Sequence, residues 1–324
     1  MPEAHQQSSQ HVQADERTPY DAPRQTASAV HGIAPQSDQE IQLDRAVQEA
    51  KLAKPTQPER QKTSDRNDSG QPAPIGGFIL LSSNTWDVGK LKMHLRREWG
   101  IVIPERQNGT KVHNQSKNAF IWKESGMTVA ISLSPSPVPD GEAEQKAANN
   151  FFWPEAVEVT QTHTAHILVA VLPGRKSVME AGKLCVKLCS SCSRLDNALG
   201  VCTSGTVYQP DFYQKAASGM KDGDLPILNW IYFGLSPSDN GINGYTYGME
   251  DFGLEELEVI DSWAAPQDLY GFLVDIASFI MISGTQLHDG ETFGFTEDQK
   301  LPITRSKGVL VDGYSLKIGY KPAP

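Results

Sequence analysis

The first 74 residues contain no Phe, no Trp and no Cys, and Tyr20 is their lone aromatic. Twelve Gln fill the same stretch. A segment so poor in large apolar groups has little to bury against the entropy of ordering its backbone, so 1–74 is expected to be a disordered polar tail. Cysteine is scarce too: Cys185, Cys189, Cys192 and Cys202 are the only four, all in one short region. That excludes the dispersed pairs of a secreted disulfide scaffold. No uninterrupted apolar run approaches the ~18 residues of a membrane helix. The sequence PEAHQQSSQH after Met1 lacks the basic start and apolar run of a secretory leader. A cytoplasmic location with no membrane partner is the expectation.

Positive charge is also in deficit. The net charge is −10, of which the tail carries eight Lys and Arg against eleven Asp and Glu, leaving −7 beyond Pro74. Nucleic acid selects for basic surfaces, so it is not an expected partner. A basic protein partner suits this balance better.

What is present begins inside the tail. Ser37-Asp-Gln-Glu40 has the form of a capping box and opens a short helix over 38–53, with a thin stripe of Ile41, Val47 and Ala50. From residue 75 the character changes, and 75–322 reads as a single α+β domain. Gly76 to Ser82 is a short buried strand. Val88, Leu91, Leu95 and Trp99 mark one face of a helix, with Gly100 at its stop. Ala119–Lys123 and Met127–Leu133 form a hairpin. Asp140 to Glu144 opens another helix, its acidic residues at the positive end. His166 to Leu172 and Ile227 to Leu235 are continuously apolar and read as central strands covered on both faces. Between them a helix runs from about Ser177 to Ser191. Asn240-Gly and Asn243-Gly mark turns before a strand at Tyr245–Met249, and Leu257–Ile260 is a further strand. Leu269, Phe272, Leu273, Ile276, Phe279 and Ile280 follow the i, i+3, i+4, i+7 rule within a helix over Gln267–Ser283. Val309–Val311 and Tyr314–Tyr320 flank Asp312-Gly313 as a closing hairpin. The whole implies a mixed, mainly antiparallel sheet with packed helices and a ferredoxin-like opening of β-α-β-β-α-β.

Three segments, Asn150-Phe-Phe-Trp-Pro-Glu-Ala-Val157, Gly244-Tyr-Thr-Tyr-Gly-Met249, and Asp289-Gly-Glu-Thr-Phe-Gly-Phe295 with Gly313-Tyr-Ser-Leu-Lys-Ile318, occur in this order. Together they resemble the bacterial domain-of-unknown-function family numbered 4261 over about Gly77 to Tyr320. The resemblance implies no catalytic residue. It implies only by association an immunity or accessory role in bacterial competition.

Three constellations could carry chemistry. Cys189-Ser-Ser-Cys192 with Cys185 and Cys202 invites a zinc or redox reading. The thiols stand at i, i+4 and i+7 on a helix, near its C-terminal end and not at the N-terminus that would activate them. They read best as small core residues. His163 and His166 lie three apart on an extended segment and point to opposite faces, which suits no shared ion. Glycine-rich phosphate loops and a GxSxG elbow are missing. No metal and no cofactor is therefore expected. The remaining set is aromatic and acidic: Trp153, Glu155, Glu158, Tyr245, Tyr247, Glu250, Asp289 and Glu291. If convergent, these residues form a recess suited to a basic loop of another protein. Paired carboxylates could also serve hydrolysis. The expected function is an uncharacterised protein-binding domain, with a hydrolase as the alternative.

Overall fold

The computed structural model describes residues 73–107, 110–114 and 118–322. The helix expected over 38–53 lies outside them. In chain order the elements are β1 (Ile75–Leu81), α1 (Val88–Trp99), β2 (Arg106–Gln107), β3 (Thr110–Lys111), β4 (His113–Asn114), β5 (Ala119–Glu124) and β6 (Met127–Ser134). A 3₁₀ turn at Pro139–Gly141 leads into α2 (Glu142–Ala147), followed by α3 (Ala156–Thr160), β7 (Ala165–Leu172), α4 (Val178–Cys192), β8 (Ala198–Thr203) and β9 (Thr206–Tyr208). Then come α5 (Pro210–Ser218), α6 (Ile227–Trp230), β10 (Tyr232–Ser238), β11 (Gly241–Tyr247), β12 (Glu256–Ser262) and α7 (Pro266–Ser283). The last three strands are β13 (Thr292–Phe293), β14 (Leu301–Lys307) and β15 (Tyr314–Ile318).

Local signals account for the helix ends. Asp87 accepts a hydrogen bond from the Lys90 amide at the start of α1, and Gly100 closes that helix at φ 69°. A side chain at that φ would be strained, which is why glycine serves as the stop. Ser177 and Glu180 exchange hydrogen bonds as a capping box at the head of α4. Pro266 opens α7 at a position where a missing amide costs nothing.

Two larger sheets form the molecule, not one. The first has seven strands in the order β4-β5-β6-β7-β1-β8-β9, and every pair in it is antiparallel. The second has six in the order β10-β11-β12-β15-β14-β13, with β12 and β15 parallel. A continuous core runs across both, from Leu91, Leu95 and Ile167 through Leu188 and Trp230 to Leu257, Leu273 and Leu316. A smaller core of Leu80, Val138, Ala143, Ala147, Trp153, Ala156, Cys202 and Val207 lies on the opposite face of the first sheet, under α2 and α3.

Several expectations are corrected. The ferredoxin-like arrangement does not appear, because no crossover sets two strands of the first sheet parallel. The apolar run Ile227–Leu235 is divided between one helical turn and β10. Periodicity cannot separate a short buried helix from a buried strand. Asn243-Gly244 lies inside β11 and not in a turn. Gly244 is needed there because an added Cβ would come within 2.7 Å of Leu273 on α7. The partner of β15 is β14, and Val309–Val311 is a loop. Finally, β7 is not covered on both faces: Leu168 is 37% and Leu172 41% exposed.

Candidate functional site

The structure distributes the expected aromatic-acidic set over separate places. Trp153 is buried in the smaller core beneath α2 and α3. Glu155 and Glu158 stand exposed at the start of α3. The Tyr245 ring lies over Gly234 of β10 and meets Tyr232 edge-on at 6.1 Å. The Tyr247 ring rests on the Gly205 turn between β8 and β9. Glu250 is exposed on a 3₁₀ turn after β11. Asp289 and Glu291 are occupied locally, Asp289 accepting from the Arg305 amide of β14 and Glu291 from the His288 amide of its own turn, at 2.8 Å each. That turn adjoins β13, four strand steps from β11. At about 4.8 Å per step the separation approaches ~19 Å, too far for one recess.

The residues just before Trp153 join the two sheets, close to Tyr245 and Tyr247. Phe151 and Phe152 pack on each other at 4.0 Å and on Tyr270 of α7 at 6.5 and 5.1 Å. The Tyr232 hydroxyl donates to the Asn149 carbonyl. Asn149 and Asn150 donate through their side-chain amides to Gly205 O (3.2 Å) and Val207 O (2.7 Å). The Asn150–Val157 motif is thus a seam between the first sheet and the second.

The histidines and cysteines have structural surroundings. His163 Nε2 accepts from the Val138 amide at 2.9 Å, which leaves the proton on Nδ1 to donate to Thr160 O at 2.5 Å. His166 holds Ser136 O at 2.8 Å, and burial lowers its pKa. All four thiols are free and buried. Burial pushes Cys202 up to about 12 and raises Cys192 further still. Thiols so protonated are poor nucleophiles.

Sequence reasoning overlooked a pair of buried carboxylates on β12. Glu256 accepts from the Thr246 hydroxyl at 2.8 Å and the Gly248 amide at 2.7 Å. Glu258, fully enclosed, accepts from the amides of Val309 (3.0 Å) and Leu310 (2.5 Å), from the Ser315 hydroxyl, and from Lys317 Nζ at 2.9 Å. Burial alone would raise its pKa, but the donors from Ser315, Lys317, Leu310 and Val309 outweigh burial and hold it below 4.5. The spacing Glu-Leu-Glu-Val was the readable signal, since residues two apart share a strand face. A carboxylate with so many fixed donors and no solvent contact is a structural anchor for the loop over 308–313.

The accessible feature with binding character is half of one sheet face. On the first sheet, α2 and α3 cover the part made by β1, β8 and β9. The part made by β5, β6 and β7 has no helix over it among the described residues. Register aligns Ile121 with Ala130, Ala170 and Gly76 in one row, and Ser132 with Leu168 and Phe78 in the next. A third row carries Lys123, Thr128 and Leu172. Ile121 is 57% exposed, and with Leu168 and Leu172 it makes an apolar strip with a polar margin. A solvated sheet face is normally polar, whereas this one carries three large apolar side chains open to solvent.

Residues 245–319, from β11 to just past β15, match the family model described as Domain of unknown function (DUF4261). This match shows the family resemblance from the end of β11 through β15, with α7 between, and contains Glu258 with all its donors. It leaves out the Asn150–Val157 seam and the first sheet, which the resemblance read from the sequence had included. No curated protein and no solved structure matches the chain.

Proposed function

We propose that this protein is a cytoplasmic, non-enzymatic binding module. It receives an amphipathic segment of another protein on the uncovered face of β5, β6 and β7. The observation that carries this reading is the strip of Ile121, Leu168 and Leu172, left open among the described residues beside a half-face that helices do cover. Burying apolar area of this kind drives protein association. The net charge of −10 favours a partner whose apolar stripe is flanked by basic residues. An immunity or accessory factor would need such a face. The dispersion of Glu155, Glu158, Asp289 and Glu291 gives the hydrolytic alternative no support.

A photo-crosslinking residue placed at Leu168 or Ile121 tests the proposal, with the same residue at exposed Arg96 of α1 as the control. One discrete protein captured from both sheet positions and not from Arg96 supports it, provided that Leu168→Glu abolishes capture at Ile121 without lowering the melting temperature. Equal capture at all three positions, or capture that survives Leu168→Glu, defeats it. A crosslinked product made of two copies of this chain would replace the partner by self-association.

A further inference from the structure

The row of Ile121, Ala130, Ala170 and Gly76 has small side chains or none except at its β5 end, and it forms the floor of a trough across the open half-face. Leu168 and Leu172 stand two residues to either side of Ala170 along β7, as walls. Four residues of strand span about 13 Å, which admits an α-helix roughly 10–12 Å across. On its β1 side the trough abuts Phe78, which packs against the smaller core under α2 and α3. A helix laid in it would extend that helical layer over the rest of the face.

An occupant is at hand in the chain itself. The described residues begin at Ala73, directly before β1, and Ile75 pairs with Val171, next to Leu172. The preceding chain therefore leaves the sheet one strand away from the Leu172 wall. Upstream, Leu43, Ala46, Val47 and Ala50 keep the i, i+3, i+4, i+7 spacing of one helix face, between the capping box at Ser37 and the stop at Pro55. This segment lies outside the described residues, and its pattern is read from the sequence. The small side chains of Ala46 and Ala50 suit close approach to a floor of alanines.

Residues 54–72, about 19 in all, separate the segment from the domain. A flexible chain of that length has a root-mean-square span of about 24 Å, against ~14 Å for the three strand steps from β1 to β5. Such a tether gives an effective concentration on the order of 1 mM, enough for a stripe too thin to bind from free solution. Residues 37–54 hold four acidic and three basic side chains, so their docking rests on apolar contact. A partner with basic flanks is better matched to this acidic chain and outcompetes them.

We infer that residues 37–54 dock as a helix in this trough and keep the face closed until the partner displaces them. The displacement rests on the preceding reading of the face, whereas the docking stands without it.

The test places a photo-crosslinking residue at Ala50 of the full chain and maps the product by mass spectrometry. The expected result is an intramolecular link to peptides of β6 or β7, with a yield that does not change with protein concentration. Leu168→Glu should abolish the link and keep the parent melting temperature, because Leu168 is already open to solvent. The paired change Leu43→Asp with Val47→Asp, which alters no residue of the domain, should abolish it equally. No link, a link to the α1 and α4 side, or one that survives either change overturns the docking. A yield that rises with concentration overturns it too, as the mark of a second copy's segment.

Partner capture through a photo-residue at Ile121 reads the preceding proposal separately. Freeing a face that is closed at least half of the time raises apparent affinity about twofold or more, so the paired tail change should raise capture by that factor. Unchanged capture overturns the displacement. A link at Ala50 with no partner captured, even after the tail change, keeps the docking and defeats the partner. Capture at Ile121 with no link at Ala50 does the reverse.

Discussion

Glu258 offers the sharpest test of how the second sheet is held. Its carboxylate has no solvent exposure and collects donors from Val309, Leu310, Ser315 and Lys317. Glu258→Ala leaves two loop amides and a hydroxyl without an acceptor, and removes the counter-ion of a lysine whose side chain is 16% exposed. Breaking a buried pair from one side costs about 3–5 kcal/mol. Glu258→Gln keeps the shape and one acceptor oxygen, so its cost should fall nearer ~2 kcal/mol, the worth of a charge-assisted bond over a neutral one. At roughly 2–4 °C per kcal/mol for a protein of this size, Ala should lower the melting point by about 6–20 °C. Urea unfolding should show a lower midpoint with the same slope, since the surface exposed on unfolding is unchanged. Hydrogen exchange adds a local readout, because the Val309 and Leu310 amides should lose protection before the rest of the sheet. The pH dependence has a definite sign. The folded pKa lies below 4.5, so the stabilisation is complete above the unfolded value and is lost as pH falls through the folded one. Wild type should therefore lose stability on acidification below pH ~4.5 more steeply than Glu258→Gln. A loss under ~1 kcal/mol for Glu258→Ala, with the two amides still protected, would refute the anchor.

Two further outcomes are expected. Gly234→Ala puts a Cβ 2.1 Å from the Tyr245 ring, so it should destabilise by about 1–3 kcal/mol in urea unfolding, and Tyr245→Ala should relieve part of that penalty. The buried thiols, with Cys202 up to about 12, should resist a thiol-specific reagent at pH 8 in the native state and react stoichiometrically only in denaturant; rapid native labelling of any of the four would contradict their core placement.

The sequence by itself determined the elements whose signals lie within a few residues of one another. Helix α1 runs from Val88 to a glycine stop at Gly100, α4 starts at the Ser177–Glu180 box, and α7 follows its apolar spacing. The β5–β6 hairpin was equally legible from alternation and its glycine turn. Tertiary structure decided the rest, for a common physical reason: the deciding partner is distant in the chain. Val309–Val311 has the composition of a strand, yet two of its amides are taken by Glu258, 51 and 52 residues earlier. The run Ile227–Leu235 is uniformly apolar, and only the packing of Trp230 against Phe252 and of Tyr232 against Phe151 shows where helix yields to strand. Tyr245 and Asp289 lie apart because β11, which holds the one, and β13, which adjoins the turn of the other, are four places apart in the sheet, and strand order is not written in any one segment. The exposure of Leu168 was unreadable for the same reason: it depends on which helix covers which half of the first sheet, and that emerges only when the long-range contacts have formed.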